Sequence, residues 1–585
     1  MRYLALACDY DGTLAAHGQV AAETLAAVER LLASGRKLIL VTGRELEDLL
    51  RVFPQVNLCE WVVAENGAVL YRPAMQEITL LESPPPAEFL HTLQARGVAP
   101  LSTGRVIVAT REPYENVVLE VIRDLGLELQ VIFNKGAVMV LPAGVNKASG
   151  LSAALREMRL SAHNVVGVGD AENDHAFLGL CECAVAVAGA LRTVRERADV
   201  VTSGDNGAGV VELMNELVVS DFHTHEPRLT RHHILLGTRE GGEAVQVRPF
   251  GVNLLLAGTS GSGKSTLATG FLERLTERGY QVCIIDPEGD YEHMEAAVVV
   301  GDDAHAPGLT EVLRLLENPA HNVVVNLLGL SIEDRPTFFV SLLSRLQELR
   351  MQTGRPHWMV LDEAHHLLPA SWHPARQVLT QDLTGMLLIT VHPDQVAPAV
   401  LTLIHQVIAI GESPVAVLRS FSAVLGQPPP ALAPLSLNPG EALLWTRQPE
   451  QGVQQFRITP NRADRVRHRR KYAQGELGED KSFYFRGPQG QLNLRAQNLM
   501  LFIQLAEGVD DATWTYHLQR GDYSRWFREA IKDEGLAANA TDIERQAALS
   551  PPESRMLVKA AILQRYTLPA ASPLPPLSRD ITPSA

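Results

Sequence analysis

The sequence predicts an α/β protein of several domains, and three observations carry that prediction. The N-terminal apolar run Tyr3–Cys8 ends in two carboxylates two residues apart, Asp9 and Asp11. Near the middle, the apolar run that begins at Asn253 passes into Gly258-Thr-Ser-Gly-Ser-Gly263-Lys264-Ser265-Thr266 and then into helical spacing as far as Leu275. Beyond about residue 480, Trp and Tyr residues interleave with an apolar period of helical type, which reads as a small, mainly helical domain. Two open sheets with phosphate chemistry at their strand ends, followed by a helical unit, are therefore expected.

At 585 residues the chain is too long for one hydrophobic core. The expected division is a first α/β domain over 1–220 with an insert at about 80–140, a connector over 221–250, a second α/β domain over 251–460, a helical domain over 461–568 and a disordered tail over 569–585. The composition, 46% hydrophobic and 20% charged, is that of an ordinary soluble protein. A net charge of −15 argues against wholesale nucleic-acid binding and leaves open a locally basic face or ring pore. Five cysteines with no CxxC pair fit neither a disulfide framework nor a zinc ribbon, and point to a reducing cytosol. No uninterrupted apolar run is long enough to span a bilayer, so a cytoplasmic protein without a membrane partner is expected.

In the first domain, side chains at i and i+2 of an extended segment share one side, so Asp9 and Asp11 can act on one phosphate. The strand Lys37–Val41 ends in Thr42-Gly43-Arg44, Asn146-Lys147 opens a helix, and the run from Asn164 to Gly169 ends in Asp170-Ala-Glu-Asn173-Asp174. In this order the four segments resemble the four motifs of the haloacid dehalogenase superfamily, and the last is similar to that of its Cof-type, sugar-phosphatase-like branch. The resemblance covers roughly residues 1–220 and implies a Rossmann-like core with a small α/β cap. It implies that Asp9 is a nucleophile forming an aspartyl-phosphate and that Asp11 first protonates the leaving oxygen, then activates water. Thr42 would hydrogen-bond the phosphoryl oxygens and Lys147 would offset negative charge. Asp9, Asp170 and Asp174, with Asp11 beside them, would make the Mg²⁺ site. A carboxylate attacks a phosphoryl group only if cations offset the repulsion between two anions, which makes Mg²⁺ and Lys147 chemical requirements. The implied substrate is a small phosphorylated metabolite, a sugar phosphate or a phosphoglycolate-like acid.

The insert holds strand-like runs at Glu77–Leu81, Arg105–Thr110, Leu129–Phe133 and Ala137–Leu141, and helix-like ones at Pro86–Gly97 and Glu115–Leu125. It resembles the cap that selects substrates in this branch. Asn66-Gly67 reads equally as a substrate contact or a turn. In the connector, Asp221, His223, His225, His232 and His233 could ligate zinc, although His-x-His beside Pro and charged residues reads more simply as a solvated linker. Glu243–Val247 then reads as an edge strand.

The central glycine-rich turn has the spacing of a P-loop. Gly258, Gly261 and Gly263, with Ser262 between them, let consecutive N–H groups point at one anion, and the helix opening at Lys264 and Thr266 adds its dipole. Lys264 would reach the β- and γ-phosphates of ATP, and the Ser265 hydroxyl would hold Mg²⁺. Farther on, Trp358–Leu361 ends in Asp362-Glu363-Ala-His365-His366, the Walker B pattern, with Asp362 ordering the Mg²⁺ shell and Glu363 polarising the attacking water. Together with Asp286-Pro-Glu-Gly-Asp290-Tyr291, this resembles the HerA/FtsK branch of ring-forming, RecA-like P-loop ATPases over roughly 230–460. That branch usually carries Thr-Gln after the next strand, whereas Thr390-Val391-His392 stands here; Thr390 or His392 could substitute. Arg335 and Arg419 are candidate arginine fingers. The basic run from Arg462 to Lys471 could grip nucleic acid or form a solvated helix, and the domain after it resembles a small helical domain found beside sugar-phosphatase-like proteins.

The leading expectation is a Mg²⁺-dependent phosphomonoesterase fused to an ATP-hydrolysing domain that regulates or assembles it. A rival is a ring-forming homo-oligomeric nucleic-acid translocase with an accessory end-cleaning phosphatase. A third is an ATP-sensing regulatory protein.

Overall fold

A computed structural model describes residues 1–134, 136–371, 383–433, 435–447, 452–461, 481–490, 492–531, 533–546 and 549–566. The chain forms two compact units, Met1–Arg462 and Ala463–Ala585.

The first unit begins with β1 (Ala5–Cys8), β2 (Lys37–Val41), β3 (Trp61–Ala64), β4 (Val69–Arg72) and β5 (Glu77–Leu80). A cap follows with β6 (Ser102–Thr103), β7 (Val108–Arg111), β8 (Leu129–Asn134) and β9 (Ala137–Pro142). The chain then returns to the first sheet through β10 (Val165–Gly169), β11 (Cys183–Ala186) and β12 (Val200–Val201). That sheet runs β12-β11-β10-β1-β2-β3-β4-β5, and the cap sheet β6-β7-β9-β8. Ala5 pairs with both Val165 and Lys37 in parallel register, so Asp9, Thr42 and Asp170 emerge together at the C-terminal ends of three adjacent strands. The strands β1, β2 and β10 are almost wholly buried, as befits a parallel sheet covered on both faces.

The strand expected at Glu77–Leu81 belongs to the core sheet and not to the cap. The short turn Pro73–Gln76 brings it back antiparallel on β4, with Val69 opposite Leu80 and Arg72 opposite Glu77. The cap packs helices Ala87–Ala95 and Glu115–Asp124 on its own sheet around Phe89, Leu93, Val118, Val121, Val138 and Val140.

The second sheet of this unit is formed by β13 (Ile234–Thr238), β14 (Ala244–Val247), β15 (Asn253–Gly258), β16 (Val282–Asp286), β17 (Ala297–Val300), β18 (Asn322–Asn326), β19 (Trp358–Leu361), β20 (Met386–Thr390), β21 (Gln406–Ile410), β22 (Glu441–Thr446) and β23 (Val453–Ile458). Its order is β14-β13-β23-β22-β21-β15-β20-β19-β16-β18-β17. The strands from β21 to β17 are parallel and packed on both faces, while β22, β23, β13 and β14 add an antiparallel edge. The loop after β15 and the residues after β19 and β20 thus share one sheet end.

The domains built on the 8-stranded and 11-stranded sheets of the first unit meet through polar contacts. Arg355, fully buried, donates to Gln281 Oε1 (3.0 Å) and Leu316 O (3.0 Å) in the second sheet's domain and to Arg159 O (2.8 Å) in the first. Tyr280 OH donates to Glu182 Oε2 at 2.8 Å across the same junction.

In the second unit, β24 (Phe483–Phe485) pairs with β25 (Leu494–Ala496), followed by helices Leu499–Gly508, Asp511–Gln519, Asp522–Glu529, Glu534–Glu544 and Pro551–Tyr566. Phe483, Phe502, Trp514, Tyr523, Trp526 and Phe527 form its core, which accounts for the aromatic cluster in the sequence. The basic run 462–471 and the tail 569–585 lie outside the described residues. Among the described residues, no helix is long and apolar enough to cross a membrane.

Candidate active sites

Lys147 is the first residue of the helix Lys147–Glu157, whose N-terminus is fixed by Asn146: its side chain accepts from the N–H groups of Ala148 (2.9 Å) and Ser149 (3.1 Å). This cap aims the lysine into the strand ends. Its Nζ donates to Asp9 Oδ1 at 2.5 Å and to Asp174 Oδ1 at 2.6 Å, and all three residues are buried. The other oxygen of Asp174 accepts from the N–H groups of Asp170 (2.8 Å) and Ala171 (2.9 Å), and Asp170 Oδ1 accepts from Thr13 Oγ1 at 3.2 Å.

Carboxylate oxygens of Asp9, Asp170 and Asp174 lie within 4.8 Å of one another. Three buried acids against one lysine leave an excess of negative charge, and a hard divalent cation with oxygen ligands fits that excess. Burial, and then the neighbouring Asp174, pushes the Asp9 carboxyl up to about 8. Burial alone would lower Lys147, but Asp174 and Asp9 more than reverse it and hold the ammonium cationic.

The Asp11 carboxylate stands outside the metal-compatible cluster with which it was grouped from the sequence. Arg44 engages it bidentately, Nε at 2.5 Å and Nη2 at 2.6 Å, and so draws it toward the mouth of the site. Thr42 is buried at the end of β2, with its hydroxyl accepting from the Arg44 N–H at 3.1 Å. Asp9, Asp11, Thr42, Arg44 and Arg51 share a cavity of about 400 Å³ with the cap residues Ser102, Ile107, Asn134 and Met139.

The segment Glu65-Asn66-Gly67 works as a brace. Glu65, fully buried, accepts from the backbone N–H groups of Arg105 (2.9 Å), Val106 (2.8 Å) and Ile107 (3.0 Å), tying the cap to the core. Asn66, in the left-handed region at φ 55°, accepts from Asn173 Nδ2 at 3.0 Å. At Gly67 a Cβ would meet the Asn146 carbonyl at 1.9 Å, so only glycine lets this turn pack on the cap of the Lys147 helix. The tie from Glu65 to the cap went unread in the sequence because its partners are backbone groups some 40 residues away.

In the second domain, Gly258 ends β15 so close to β21 that a Cβ would meet the Ile410 carbonyl at 2.2 Å. Gly261 (φ 77°) and Gly263 (φ 102°) turn the loop, with Ser262 between them, into the helix Lys264–Glu277. Lys264 Nζ donates to the carbonyls of Gly258 (2.9 Å) and Thr259 (3.1 Å), while Ser265 and Thr266 lie half-buried in the first helical turn. Asp362 follows β19, and burial, then Asp290, Glu363 and Asp286, pushes its carboxyl well up. Glu363 sits in the left-handed region at φ 38°. This acidic pocket beside a cationic loop suits a nucleotide with its Mg²⁺.

Asp286 accepts from the N–H groups of residues 288 to 291 and organises that turn; burial pushes it up to about 7. The Thr390 hydroxyl lies 3.1 Å from His365 Nδ1, which is itself 3.5 Å from Glu363 Oε2, so Thr390 rather than His392 reaches the Walker B segment directly. His392 stands edge-on to His365 at 5.9 Å. Arg335 faces Glu288 and Asp286, whereas Arg419 is exposed on the helix Pro414–Val424.

The connector histidines do not gather with Asp221. His223 pairs with Glu226 (2.8 Å), His225 with Glu216 (2.8 Å), and Asp221 with Arg36 (2.8 Å).

Residues 6–99 and 102–214 match the family of haloacid dehalogenase-like hydrolases, and residues 253–358 match the central domain of the helicase HerA. The chain is 32% identical over 223 residues to a phosphoglycolate phosphatase from Methanothermobacter thermautotrophicus, covering 98% of that protein and 37% of this one. It is 27% identical over 226 residues to phosphoglycolate phosphatase 2 from Saccharolobus solfataricus, covering 93% of that protein and 37% of this one. To a phosphoglycolate phosphatase from Haloarcula marismortui it is 30% identical over 218 residues, covering 94% of that protein and 35% of this one.

Proposed function

Because this chain belongs to the haloacid dehalogenase-like hydrolase family through its N-terminal third and continues into a HerA-type ATPase domain, we propose that it hydrolyses a small phosphorylated acid of the phosphoglycolate type under the control of ATP. The observation that carries the reading is the clamp of Lys147 between Asp9 and Asp174 beside Asp170. Asp9 attacks phosphorus while the bond to the substrate oxygen breaks, and Asp11, released from Arg44 and protonated, gives that oxygen its proton. Asp11 then takes a proton from the water that hydrolyses the aspartyl-phosphate and frees Asp9. Thr42 and Lys147 hold the phosphoryl oxygens. Asp9, Asp170 and Asp174 would hold Mg²⁺, which would supply the charge that offsets repulsion between carboxylate and phosphate. Arg44 and Arg51 line the mouth, paired with Asp11 and Asp48, and a substrate carboxylate would compete with those acids for them. Phosphate release from a panel of phosphorylated acids and sugars, with and without ATP, tests the reading; activity on none of them, or activity that survives Asp9→Asn, would overturn it.

The raised Asp9 carboxyl gives a pH prediction. A carboxyl at about 8 in the folded, metal-free chain and near its ordinary 3.8 when unfolded contributes stability below pH 4 that is lost as pH rises toward 8. Mg²⁺ should restore that loss, so the rise in Tm on adding Mg²⁺ is expected to grow from pH 5 to pH 8. In Asp9→Asn the growth should flatten. A Mg²⁺ effect independent of pH in the native chain would count against this site.

Control by ATP is supported by a continuous physical connection. The P-loop helix begins at Lys264, and just after its end Arg278 O lies 2.6 Å from His163 Nε2 while Tyr280 OH bonds Glu182. His163 lies immediately before β10, which delivers Asp170. Tyr280→Phe is expected to reduce the effect of ATP on phosphatase kcat/KM, typically 5- to 150-fold for coupled sites, while each separate activity stays within about twofold. An unchanged ATP effect in that variant would place the coupling elsewhere.

The match to the HerA central domain supports a second reading, a ring-forming translocase on nucleic acid. That reading requires hexamers in light scattering and DNA-stimulated ATP turnover.

A further inference from the structure

We propose a second metal centre, for a zinc-type cation, formed by His163, Glu182 and His232 at the junction of the phosphatase and ATPase domains. One ligand atom from each of the three residues lies within 4.8 Å of the others. His163 and Glu182 come from the phosphatase domain, on either side of β10, and His232 comes from the connector just before β13. Two histidines and a carboxylate are a donor set suited to Zn²⁺ and its borderline-soft relatives, and distinct from the all-oxygen cluster around Asp9.

Three features support a built site. First, the outward nitrogen of His163 is engaged by backbone. His163 Nε2 lies 2.6 Å from the Arg278 carbonyl. Such bonds fix the tautomer and orientation of metal-binding imidazoles.

Second, His232 Nε2 is buried and has no hydrogen-bond partner among the described residues. Burial pushes this histidine down to about 4, so at neutral pH it is an uncharged ring with a lone pair. A ligand atom of His232 lies within 4.8 Å of a Glu182 carboxylate oxygen, and a cation between the two would give the unpartnered ring nitrogen its missing partner.

Third, Glu182 is held ionised. Burial alone would raise its carboxyl, but Arg2 on Oε1 and His163 on Oε2 bring it below the usual carboxylate range. Oε2, the oxygen turned to the histidines, lies 2.6 Å from His163 Nδ1 and accepts from Tyr280 OH at 2.8 Å. On binding, the ion replaces the proton shared between His163 Nδ1 and Glu182 Oε2, which leaves to solvent. Tyr280 stacks on His163 with ring centroids 3.7 Å apart, and so puts a residue of the ATPase domain against the centre.

Chelator-treated full-length protein, in excess Mg²⁺ to occupy the Asp9 cluster and without nucleotide, is titrated with Zn²⁺ by calorimetry and with Co²⁺ by visible absorption. One equivalent of Zn²⁺ is expected, with a Co²⁺ spectrum of mixed nitrogen and oxygen ligation and a rise in Tm. His232→Ala, a half-buried connector position, is expected to weaken binding at least about 100-fold, whereas Asp170→Asn should leave it unchanged. His163→Gln should behave like His232→Ala if it folds; if it does not, His232→Ala decides. Failure to bind Zn²⁺ or Co²⁺ under these conditions overturns the proposal, as does a binding step that survives His232→Ala or disappears in Asp170→Asn.

Discussion

Asp9→Asn is expected to lower phosphate release by about 10⁴-fold or more, because it removes the atom that forms the covalent bond while leaving the site's shape. The substitution should not unfold the protein. Asp9 is buried with its carboxyl pushed up to about 8, so folding already disfavours its charge at neutral pH, and a neutral amide of the same size relieves that cost. Lys147 keeps its bond to Asp174. The expected combination is an inactive chain with a Tm at or above that of the native protein without metal, measured by phosphate release and thermal unfolding. Residual activity within tenfold of native would remove Asp9 as the nucleophile.

Glu363→Gln is expected to lower ATP turnover by about 10² to 10⁴-fold, the range for loss of a general base, with nucleotide still bound. The bonds of Lys264 to the Gly258 and Thr259 carbonyls are made to backbone and stay available in the variant. Easing the crowd of acids around Asp362 should, if anything, favour the nucleotide-bound state, since Glu363 is among the groups that push Asp362 up. A fluorescent nucleotide measures binding, and ADP formation measures turnover. The variant also separates two modes of control: if bound ATP suffices, it holds the phosphatase in its ATP-dependent state, and if hydrolysis is needed, the phosphatase no longer responds. Loss of nucleotide binding in Glu363→Gln would instead assign this residue to the binding shell.

The sequence displayed those parts of the sites that depend on local geometry. Asp9 and Asp11, Thr42, Asp170 and Asp174 stand at strand ends, and Lys147 and Lys264 at helix starts, so a short window shows both the residue and the element that aims it. What depended on distant pairing was hidden. Glu77–Leu80 has the alternation of any exposed strand, and only its pairing with β4 assigns it to the core sheet. The Asp11 carboxylate could be placed only once Arg44, 33 residues later, was seen to hold it. The connector histidines looked like one cluster because they are close in sequence. In space His223 and His225 pair with nearby glutamates, and His232 joins a histidine and a glutamate from far upstream. The missing Gln after β20 was visible, whereas the contact of Thr390 with His365 required the parallel alignment of β19 and β20.

The Glu65 brace also constrains how this protein can evolve. Its carboxylate fills the space over Gly104 so closely that a Cβ there would fall 2.6 Å from Glu65 Cδ. The two positions therefore form one unit of change. A lineage that gains a side chain at 104 has to move, shorten or replace Glu65, and in doing so disturbs the three amide bonds that fasten the cap. A new cap geometry, and with it a new range of substrates, can thus begin at a glycine outside the four catalytic motifs.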